Sequence, residues 1–254
     1  MIGIYFSGTG NSKYATEFFL KEYAGNVSAF AIEEPECVTQ IRNHDELVFA
    51  YPVQYSDVPK IVKDFIRNNQ DVWQGKKIFV IATMAMFSGD GAGVLARMLK
   101  KYGARITGGL HLQMADSIAD EKVLKRSFEK NKHLLERANS KIKNAVAGIR
   151  NGKYPKEGLS MIARTAGFLS QRLWFGHRTE TYSDQLKVDT DKCIGCAKCV
   201  RICPTGNIML AKDKAKGMAN CTVCYRCVNL CPKKAITILG KEVINQTVIE
   251  KYLK

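Results

Sequence analysis

Residues 1–12 read Met1-Ile2-Gly3-Ile4-Tyr5-Phe6-Ser7-Gly8-Thr9-Gly10-Asn11-Ser12. The first half is an apolar run typical of a buried strand, and the second half contains only small and polar residues. A helical pattern follows over Ser12–Tyr23. A loop of this kind between a strand and a helix offers backbone N–H groups and hydroxyl groups to a phosphate, which the helix dipole also attracts. We therefore predict a phosphate-binding loop at Ser7–Ser12.

The alternation of apolar runs and helical patterns continues to about residue 150. It predicts an α/β domain with a doubly wound, five-stranded parallel sheet in the order 2-1-3-4-5. The predicted strands are Ile2–Phe6, Val27–Ala31, Glu46–Tyr51, Lys77–Thr83 and Arg105–Gln113. The predicted helices are Ser12–Tyr23, Lys60–Asn68, Ala92–Tyr102 and a long one near Asp120–Ile149. Sheets of this type bind their ligands beyond the carboxyl ends of the strands.

The loop at Ser7–Ser12 lacks the lysine of a Walker loop and the GxGxxG spacing of a dinucleotide fold. It resembles instead the FMN phosphate loop of flavodoxins, Ser/Thr-x-Thr-Gly-Asn-Ser/Thr, at every specified position. The resemblance implies that FMN is a cofactor. The residues that would bind its phosphate are Ser7, Gly8, Thr9, Gly10, Asn11 and Ser12.

The loops after the third and fourth strands are predicted to hold the flavin ring. Their candidate contact residues are Pro52, Val53, Tyr55, Thr83, Met84, Ala85, Phe87 and Gly89. Aromatic side chains here can stack on the ring, and glycine-rich backbone can donate hydrogen bonds to its edge. Alternatively, Tyr55 and Phe87 only close the domain, and the sequence does not choose between these two interpretations.

Eight of the nine cysteines lie between Cys193 and Cys231, and only Cys37 lies outside that stretch. The eight form two runs of CxxCxxCxxxCP that repeat with a period of 28 residues. A disulfide framework suits a secreted domain, and residues 1–6 do not have the features of an export signal, so we expect metal ligation. Cys37 is interpreted as having no functional role.

The two runs resemble those of bacterial two-cluster ferredoxins, in which the cysteine before proline serves the other cluster. The resemblance implies two [4Fe-4S] clusters. One would be held by Cys193, Cys196, Cys199 and Cys231, and the other by Cys221, Cys224, Cys227 and Cys203. Zinc is the alternative for paired CxxC motifs. Two runs with identical spacing and a trailing proline favour iron–sulfur clusters over zinc.

As a whole, the chain resembles the flavodoxin–ferredoxin fusion proteins of anaerobic bacteria and archaea over nearly its full length. We expect a flavodoxin-like FMN domain at 1–150, a structured helical linker at 151–187, and a small α+β ferredoxin-like domain with a C-terminal tail at 188–254. In the linker, apolar residues from Leu159 to Leu173 recur at helical spacing. This helix is expected to pack the two domains together, and docking on a membrane surface or a partner is the alternative.

The formal net charge is +15, and it stays positive after the negative charges of the expected cofactors are counted. A redox protein is the expected partner, and an acidic one suits this charge. Nucleic acid is not expected, because the basic residues are spread along the chain rather than gathered in one stripe with aromatics. No run reaches the roughly 18 consecutive apolar residues that a membrane span needs. We expect a cytoplasmic protein, and peripheral membrane contact and a homodimer stay open.

The resemblance implies an electron-transfer protein in which FMN and the clusters exchange electrons with an external partner. The alternative is an FMN-dependent reductase of a small acceptor that draws its electrons from the clusters. That reaction needs a proton donor near the ring, and Tyr51, Tyr55 and Asp90 are weak candidates, so no catalytic residue is assigned. A third hypothesis is a regulatory or nucleic-acid-binding protein with sensing clusters, and the intact Ser7–Ser12 loop argues against it.

Overall fold

The structure is a computed structural model of the chain, and it describes residues 1–86, 89–122, 125–161, 163, 165 and 185–253. Phe87 and most of the helix predicted between Leu159 and Leu173 lie outside the described residues. Two apolar cores cover the faces of a large sheet, and a third lies in the cysteine-rich region. None of the helices in these ranges combines the length and the apolar character that crossing a membrane requires.

The large sheet contains five parallel strands in the order β2-β1-β3-β4-β5, which confirms the predicted fold class. The strands are β1 (Ile2–Tyr5), β2 (Ala29–Ala31), β3 (Glu46–Pro52), β4 (Lys77–Met84) and β5 (Arg105–Gln113). Successive side chains of β3 and β4 enter the cores on opposite faces, because side chains alternate along a strand. Both faces of the central strands are therefore buried, as the near-continuous apolar runs predict.

Among the described residues, five α-helices surround this sheet. They are α1 (Asn11–Ala24), α2 (Cys37–Asn43), α3 (Lys60–Asn68), α4 (Gly91–Lys101) and α5 (Phe128–Arg150). Helix α2 is not predicted from the sequence, because its seven residues are too few to show a helical period. The predicted start of α5 near Asp120 is also wrong. The helix begins at Phe128, where the hydroxyl of Ser127 caps it by accepting a hydrogen bond from the backbone N–H of Lys130 at 3.3 Å.

The cysteine-rich region is a small α+β unit made of two similar halves. Its elements are β6 (Lys187–Val188), α6 (Lys198–Ile202), β7 (Ile208–Ala211), β8 (Lys214–Gly217), α7 (Arg226–Leu230) and β9 (Ile236–Thr237). Strand β6 pairs with β9 and β7 with β8, both antiparallel. A residue with left-handed backbone precedes each of the two short helices, at Ala197 and at Tyr225, 28 positions later. The repeat seen in the sequence is therefore also a repeat of backbone conformation.

A 3₁₀ helix, Ile249–Tyr252, follows the cysteine-rich region and returns to the first domain. Ile249 and Tyr252 belong to the apolar core that contains the buried face of α5. The side-chain amide of Asn131 in α5 donates a hydrogen bond to the Tyr252 hydroxyl at 3.0 Å. The segment that the sequence analysis treats as a tail is therefore a structural part of the first domain.

Candidate functional site

The loop between β1 and α1 lies at the carboxyl edge of the sheet. Its Ser12 hydroxyl lies 2.8 Å from the hydroxyl of Thr83 near the end of β4. The Ser7 hydroxyl is buried and has no hydrogen-bond partner among the described residues. The backbone N–H groups of residues 8–12 likewise donate to no other described residue. A buried hydroxyl and a row of free N–H groups next to a helix N-terminus are suitable donors to a phosphate. These residues therefore fit the phosphate of FMN.

The loops predicted to hold the flavin ring lie beside this phosphate loop. The backbone N–H of Val53 donates to the carbonyl of Thr83 at 2.8 Å, which joins the ends of β3 and β4. Tyr55 has a left-handed backbone with φ 49°, where the chain turns after β3. The remaining predicted residues in the described ranges, Pro52, Met84, Ala85 and Gly89, occupy the ends of the same two strands or the loop after β4. Contact of these residues with the ring stays a prediction, and Phe87 lies outside the described residues.

Two of the groups considered as proton donors are engaged in other contacts. The Tyr51 hydroxyl donates to the carbonyl of Gly91. The Asp90 carboxylate is fully buried and lies 2.6 Å from a guanidinium nitrogen of Arg97. A hydroxyl held by a carbonyl and a carboxylate held by a guanidinium are poorly placed to deliver a proton to a bound substrate.

The eight cysteines of the repeat line two separate cavities. One cavity is lined by what we call the first set, Cys193, Cys196, Cys199 and Cys231. The other is lined by the second set, Cys203, Cys221, Cys224 and Cys227. In each set three cysteines come from one run and the fourth precedes the proline of the other run. This is the grouping that the resemblance to two-cluster ferredoxins implies.

Equivalent backbone N–H groups approach sulfur in the two halves. The N–H of Asn207 donates to Sγ of Cys203 at 3.2 Å, and the N–H of Ala235, 28 positions later, donates to Sγ of Cys231 at 3.3 Å. Hydrogen bonds to sulfur are one of the factors that set the reduction potential of an iron–sulfur cluster. The cavities therefore provide both thiolate ligands and donors that suit such clusters.

The arrangement of the cysteines also bears on the zinc alternative. A tetrahedral zinc needs four sulfur atoms, each about 2.3 Å from one centre. Within the described ranges, no group of three or more His, Cys, Asp or Glu side chains is arranged around a single metal ion. The described residues therefore give no support to the zinc alternative.

The second set is the more deeply buried of the two. Burial raises the pKa of the Cys224 thiol to about 12, and it raises the pKa of Cys227 well above its ordinary value. Cys196 of the first set is exposed. Coordination to iron supplies the positive charge that a buried thiolate requires. The two sets therefore differ in how closely solvent and other proteins can approach them.

The second set lies directly against the phosphate loop. A Cβ atom added to Gly8 would lie only 2.0 Å from the carbonyl oxygen of Cys224, so this approach requires glycine. Gln54, in the loop after β3, donates from Nε2 to the carbonyl oxygens of Val223 at 3.1 Å and Thr222 at 3.3 Å. The loops of the predicted flavin site and the second cysteine set therefore share one interface.

Arg226 crosses this interface from the start of α7. Its guanidinium donates to the carbonyl of Ser7 at 2.7 Å and forms an ion pair with Glu33 at 2.5 Å. The guanidinium carbon also lies 5.9 Å from the centroid of the Phe6 ring. The side chains of Arg226 and Glu33 are only 19% and 21% exposed. Because a buried charge is stable only when it is paired, this contact favours one relative position of the two domains.

A second connection between the domains starts from the loop after β5. The buried carboxylate of Asp120 accepts hydrogen bonds from the Tyr225 hydroxyl at 2.9 Å and from the backbone N–H groups of Ile238 and Leu239 at 2.6 and 3.0 Å. Burial and the neighbouring Asp120 raise the pKa of Tyr225, so its hydroxyl remains the donor. Asp120 thus anchors the cysteine-rich region, which explains why the segment around it is not helical.

The residues that join the two domains are not predicted from the sequence. They are Glu33, Gln54, Asp120, Arg226 and Ile249. The backbone N–H of Ile249 donates to the carbonyl of Thr9 at 2.9 Å. Arg226 and Ser7 are 219 positions apart in the chain. Local periodicity and motif spacing contain no signal for pairs that are so far apart.

Cys37 lies apart from these contacts, on α2. Its side chain is fully buried in the first domain, and burial raises the pKa of its thiol to about 12. A thiol of this kind is unreactive, and it packs as a core residue.

Two protein-family models match separate parts of the chain. Residues 2–123 match the model of a flavodoxin domain, and residues 185–237 match the model of a 4Fe-4S dicluster domain. The first match contains all three loops of the predicted flavin site, and the second contains all eight cysteines of the repeat. No curated protein sequence shows significant similarity to the chain.

The first part is also similar to solved flavodoxin structures. A flavodoxin of Fusobacterium nucleatum bound to flavin mononucleotide is 20% identical, with a TM-score of 0.40, and the match covers 60% of this chain and 98% of the other. The two-electron reduced flavodoxin of Megasphaera elsdenii is 19% identical, with a TM-score of 0.41, over 44% of this chain and 86% of the other. Flavodoxin 2 of Bacillus cereus is 15% identical, with a TM-score of 0.43, over 59% and 97%.

Proposed function

The chain joins a flavodoxin domain to a 4Fe-4S dicluster domain, and we propose that it relays electrons between FMN, two [4Fe-4S] clusters and an external redox protein. FMN, when bound, allows two-electron and one-electron chemistry to be interconverted. The first and second cysteine sets would each hold one cluster, and residues 7–12 would hold the flavin phosphate. The loops after β3 and β4 would orient the ring.

The observation that carries this proposal is the contact between Gly8 and Cys224. One residue belongs to the predicted phosphate loop and the other to the second cysteine set, and their backbones touch. Gln54 extends the same contact to the loop after β3. An electron that leaves the flavin site would therefore meet protein atoms of the second set without crossing solvent.

The chain's own residues would perform distinct tasks in this relay. The Ser7 hydroxyl and the N–H groups of residues 8–12 would bind the phosphate. The ion pair between Arg226 and Glu33 holds the two domains in one relative position. The N–H groups of Asn207 and Ala235 would stabilise reduced, more negative clusters by donating to sulfur.

Two of the three candidate proton donors argue against a reductase of a small acceptor. Tyr51 donates to Gly91, and Asp90 is paired with Arg97. An electron-transfer protein needs no proton donor of this kind, since the electron passes to the partner without a bond being made or broken. We therefore propose the relay as the main activity.

The test begins with anaerobic purification and analysis of iron, sulfide and flavin. We expect about eight iron atoms per chain, as two [4Fe-4S] clusters require, together with FMN. Stopped-flow reduction followed at flavin and cluster wavelengths should show the two kinds of centre equilibrating rapidly. Flavin and clusters that never exchange electrons would refute the relay.

Two variants that each remove one buried cysteine sharpen this test. Cys224→Ser should lower the iron and sulfide content and abolish rapid exchange with the flavin, because it alters the second set next to Gly8. Cys37→Ser is the matched control, since Cys37 is buried in the core of the first domain, and it should retain both. Equal loss of iron in the two variants would contradict the assignment of the second set.

A further inference from the structure

The two cysteine sets face different surroundings. Cys224 and Cys227 of the second set are 9% and 7% exposed, and Cys224 touches the phosphate loop. Cys196 of the first set is exposed, and all the described residues that line the cavity of this set belong to residues 193–236. Within the part of the chain that the structure describes, the cavity of the first set is therefore bounded by the cysteine-rich region and not by the flavin loops.

The surface around the first set is apolar at its centre. Ile194 and Leu210 both line the cavity, and they are 59% and 38% exposed. The hairpin of β7 and β8 brings Leu210 to this place, because the carbonyl of Asp213 at its tip lies against Gly195. Exposed apolar side chains next to a redox centre allow another protein to approach closely and exclude water.

The rim of this surface is basic. Three segments surround the first set: residues 191–201, 210–215 and 231–236. Their exposed cations are Lys192, Lys198, Arg201, Lys212, Lys233 and Lys234. The exposed anions of the same segments are Asp191 and Asp213. A cluster with four thiolates carries a charge of about −2, so the rim remains positive when the cluster is present. A basic rim attracts and orients an acidic partner.

We propose that this surface, centred on Ile194 and Leu210 and bordered by Lys212 and Lys234, is the docking face for an acidic one-electron redox protein. The inference rests on the proposed function and gives the relay an order: flavin, second set, first set, partner. The partner would exchange one electron at a time with the cluster of the first set. The flavin site would not have to open to the partner.

Oxidised rubredoxin, a small acidic iron protein, is a suitable probe. One electron passes from the dithionite-reduced chain to its ferric iron, which becomes ferrous, and the colour loss of rubredoxin reports the second-order rate constant. Lys212→Glu/Lys234→Glu reverses two rim charges at exposed residues that do not line the cavity. We expect this rate constant to fall at least about tenfold at low salt, and the difference to shrink in about 1 M salt, where screening acts over about 3 Å.

The matched control is Lys100→Glu/Lys130→Glu, which changes the net charge equally at exposed positions of α4 and α5. Its rate constant should fall less than about twofold. A redox-silent readout is the dissociation constant of zinc-substituted rubredoxin, measured by calorimetry, which only the rim variant should raise. The proposal would be overturned if the rim variant and the control variant changed the rate constant equally. It would also be overturned if neither variant changed it. Salt-dependent binding of the wild-type chain to phosphatidylglycerol vesicles through Lys212 and Lys234, without binding of rubredoxin, would also overturn it.

The docking face and the relay can fail separately. Flavin–cluster equilibration is followed in the same samples before rubredoxin is added, so its absence refutes the relay alone. If equilibration is normal and the rim variant still reduces rubredoxin at the wild-type rate, the relay stands and the docking face is refuted.

Discussion

Replacing Arg226 by methionine should loosen the contact between the phosphate loop, Ser7–Ser12, and the second cysteine set. The substitution removes the hydrogen bond to the Ser7 carbonyl and leaves the Glu33 carboxylate without its cation. Methionine keeps a long side chain over the Phe6 ring, so most of the apolar contact is preserved. The change therefore tests the charged contact rather than the packing.

The expected cost follows from the burial of the pair. Removing one partner of a buried ion pair costs about 3–5 kcal/mol, and a pair that is one-fifth exposed belongs near the lower end. About 3 kcal/mol corresponds to a change of about 150-fold in the equilibrium between docked and undocked domains. Hydrogen exchange of the Ile249 N–H, which donates to the Thr9 carbonyl across the interface, should rise accordingly, and flavin–cluster exchange should slow.

The assay is a double-mutant cycle with Glu33→Gln, read by urea unfolding and by amide hydrogen exchange. If the pair acts as described, the double variant should be clearly more stable than the sum of the two single variants predicts. The control is Lys77→Met, which breaks an exposed ion pair with Glu46 and should cost less than about 1 kcal/mol. A coupling energy between Arg226 and Glu33 below about 0.5 kcal/mol would refute the reasoning, because exposed ion pairs have coupling energies of that size.

Three further predictions concern other contacts of the site. Asp120→Asn should destabilise the protein by about 2 kcal/mol in urea unfolding, because it weakens three hydrogen bonds to a buried carboxylate; a value near zero would contradict the anchoring role. Gly8→Ala should lower flavin affinity and slow flavin–cluster exchange, because its Cβ would meet the Cys224 carbonyl at 2.0 Å, and unchanged values for both would contradict the close approach. Burial lowers the pKa of His111 to about 4, and its Nε2 accepts a hydrogen bond from the backbone N–H of Ala92 at 3.0 Å. The stability that neutral His111 contributes is therefore complete above about pH 6.5 and falls with pH, by about 1.4 kcal/mol at pH 5.5. The pH dependence of urea unfolding should be shallower in His111→Gln, and identical curves would contradict this assignment.

The order of the sheet could be predicted because each strand is a short apolar run between clear breaks. Lys60–Asn68 and Arg105–Gln113 have the predicted bounds. The start of α5 could not be predicted, since helical spacing near Asp120 gives no indication that its carboxylate binds the cysteine-rich region. The grouping of the cysteines in two cavities agrees with the resemblance to two-cluster ferredoxins. The interface between the domains could not be predicted, because pairs such as Gln54 and Val223 have no local signature.

The hydrogen bond from Ile249 to Thr9 has a consequence for the order in which the protein is made. The two residues are 240 positions apart, so at about 5–20 residues per second the ribosome adds Ile249 tens of seconds after Thr9. The phosphate loop can therefore contact Ile249 only after the ribosome has synthesised the cysteine repeat. All eight cysteines of the repeat have been synthesised by then, so on the proposed function both clusters can be assembled before this contact forms.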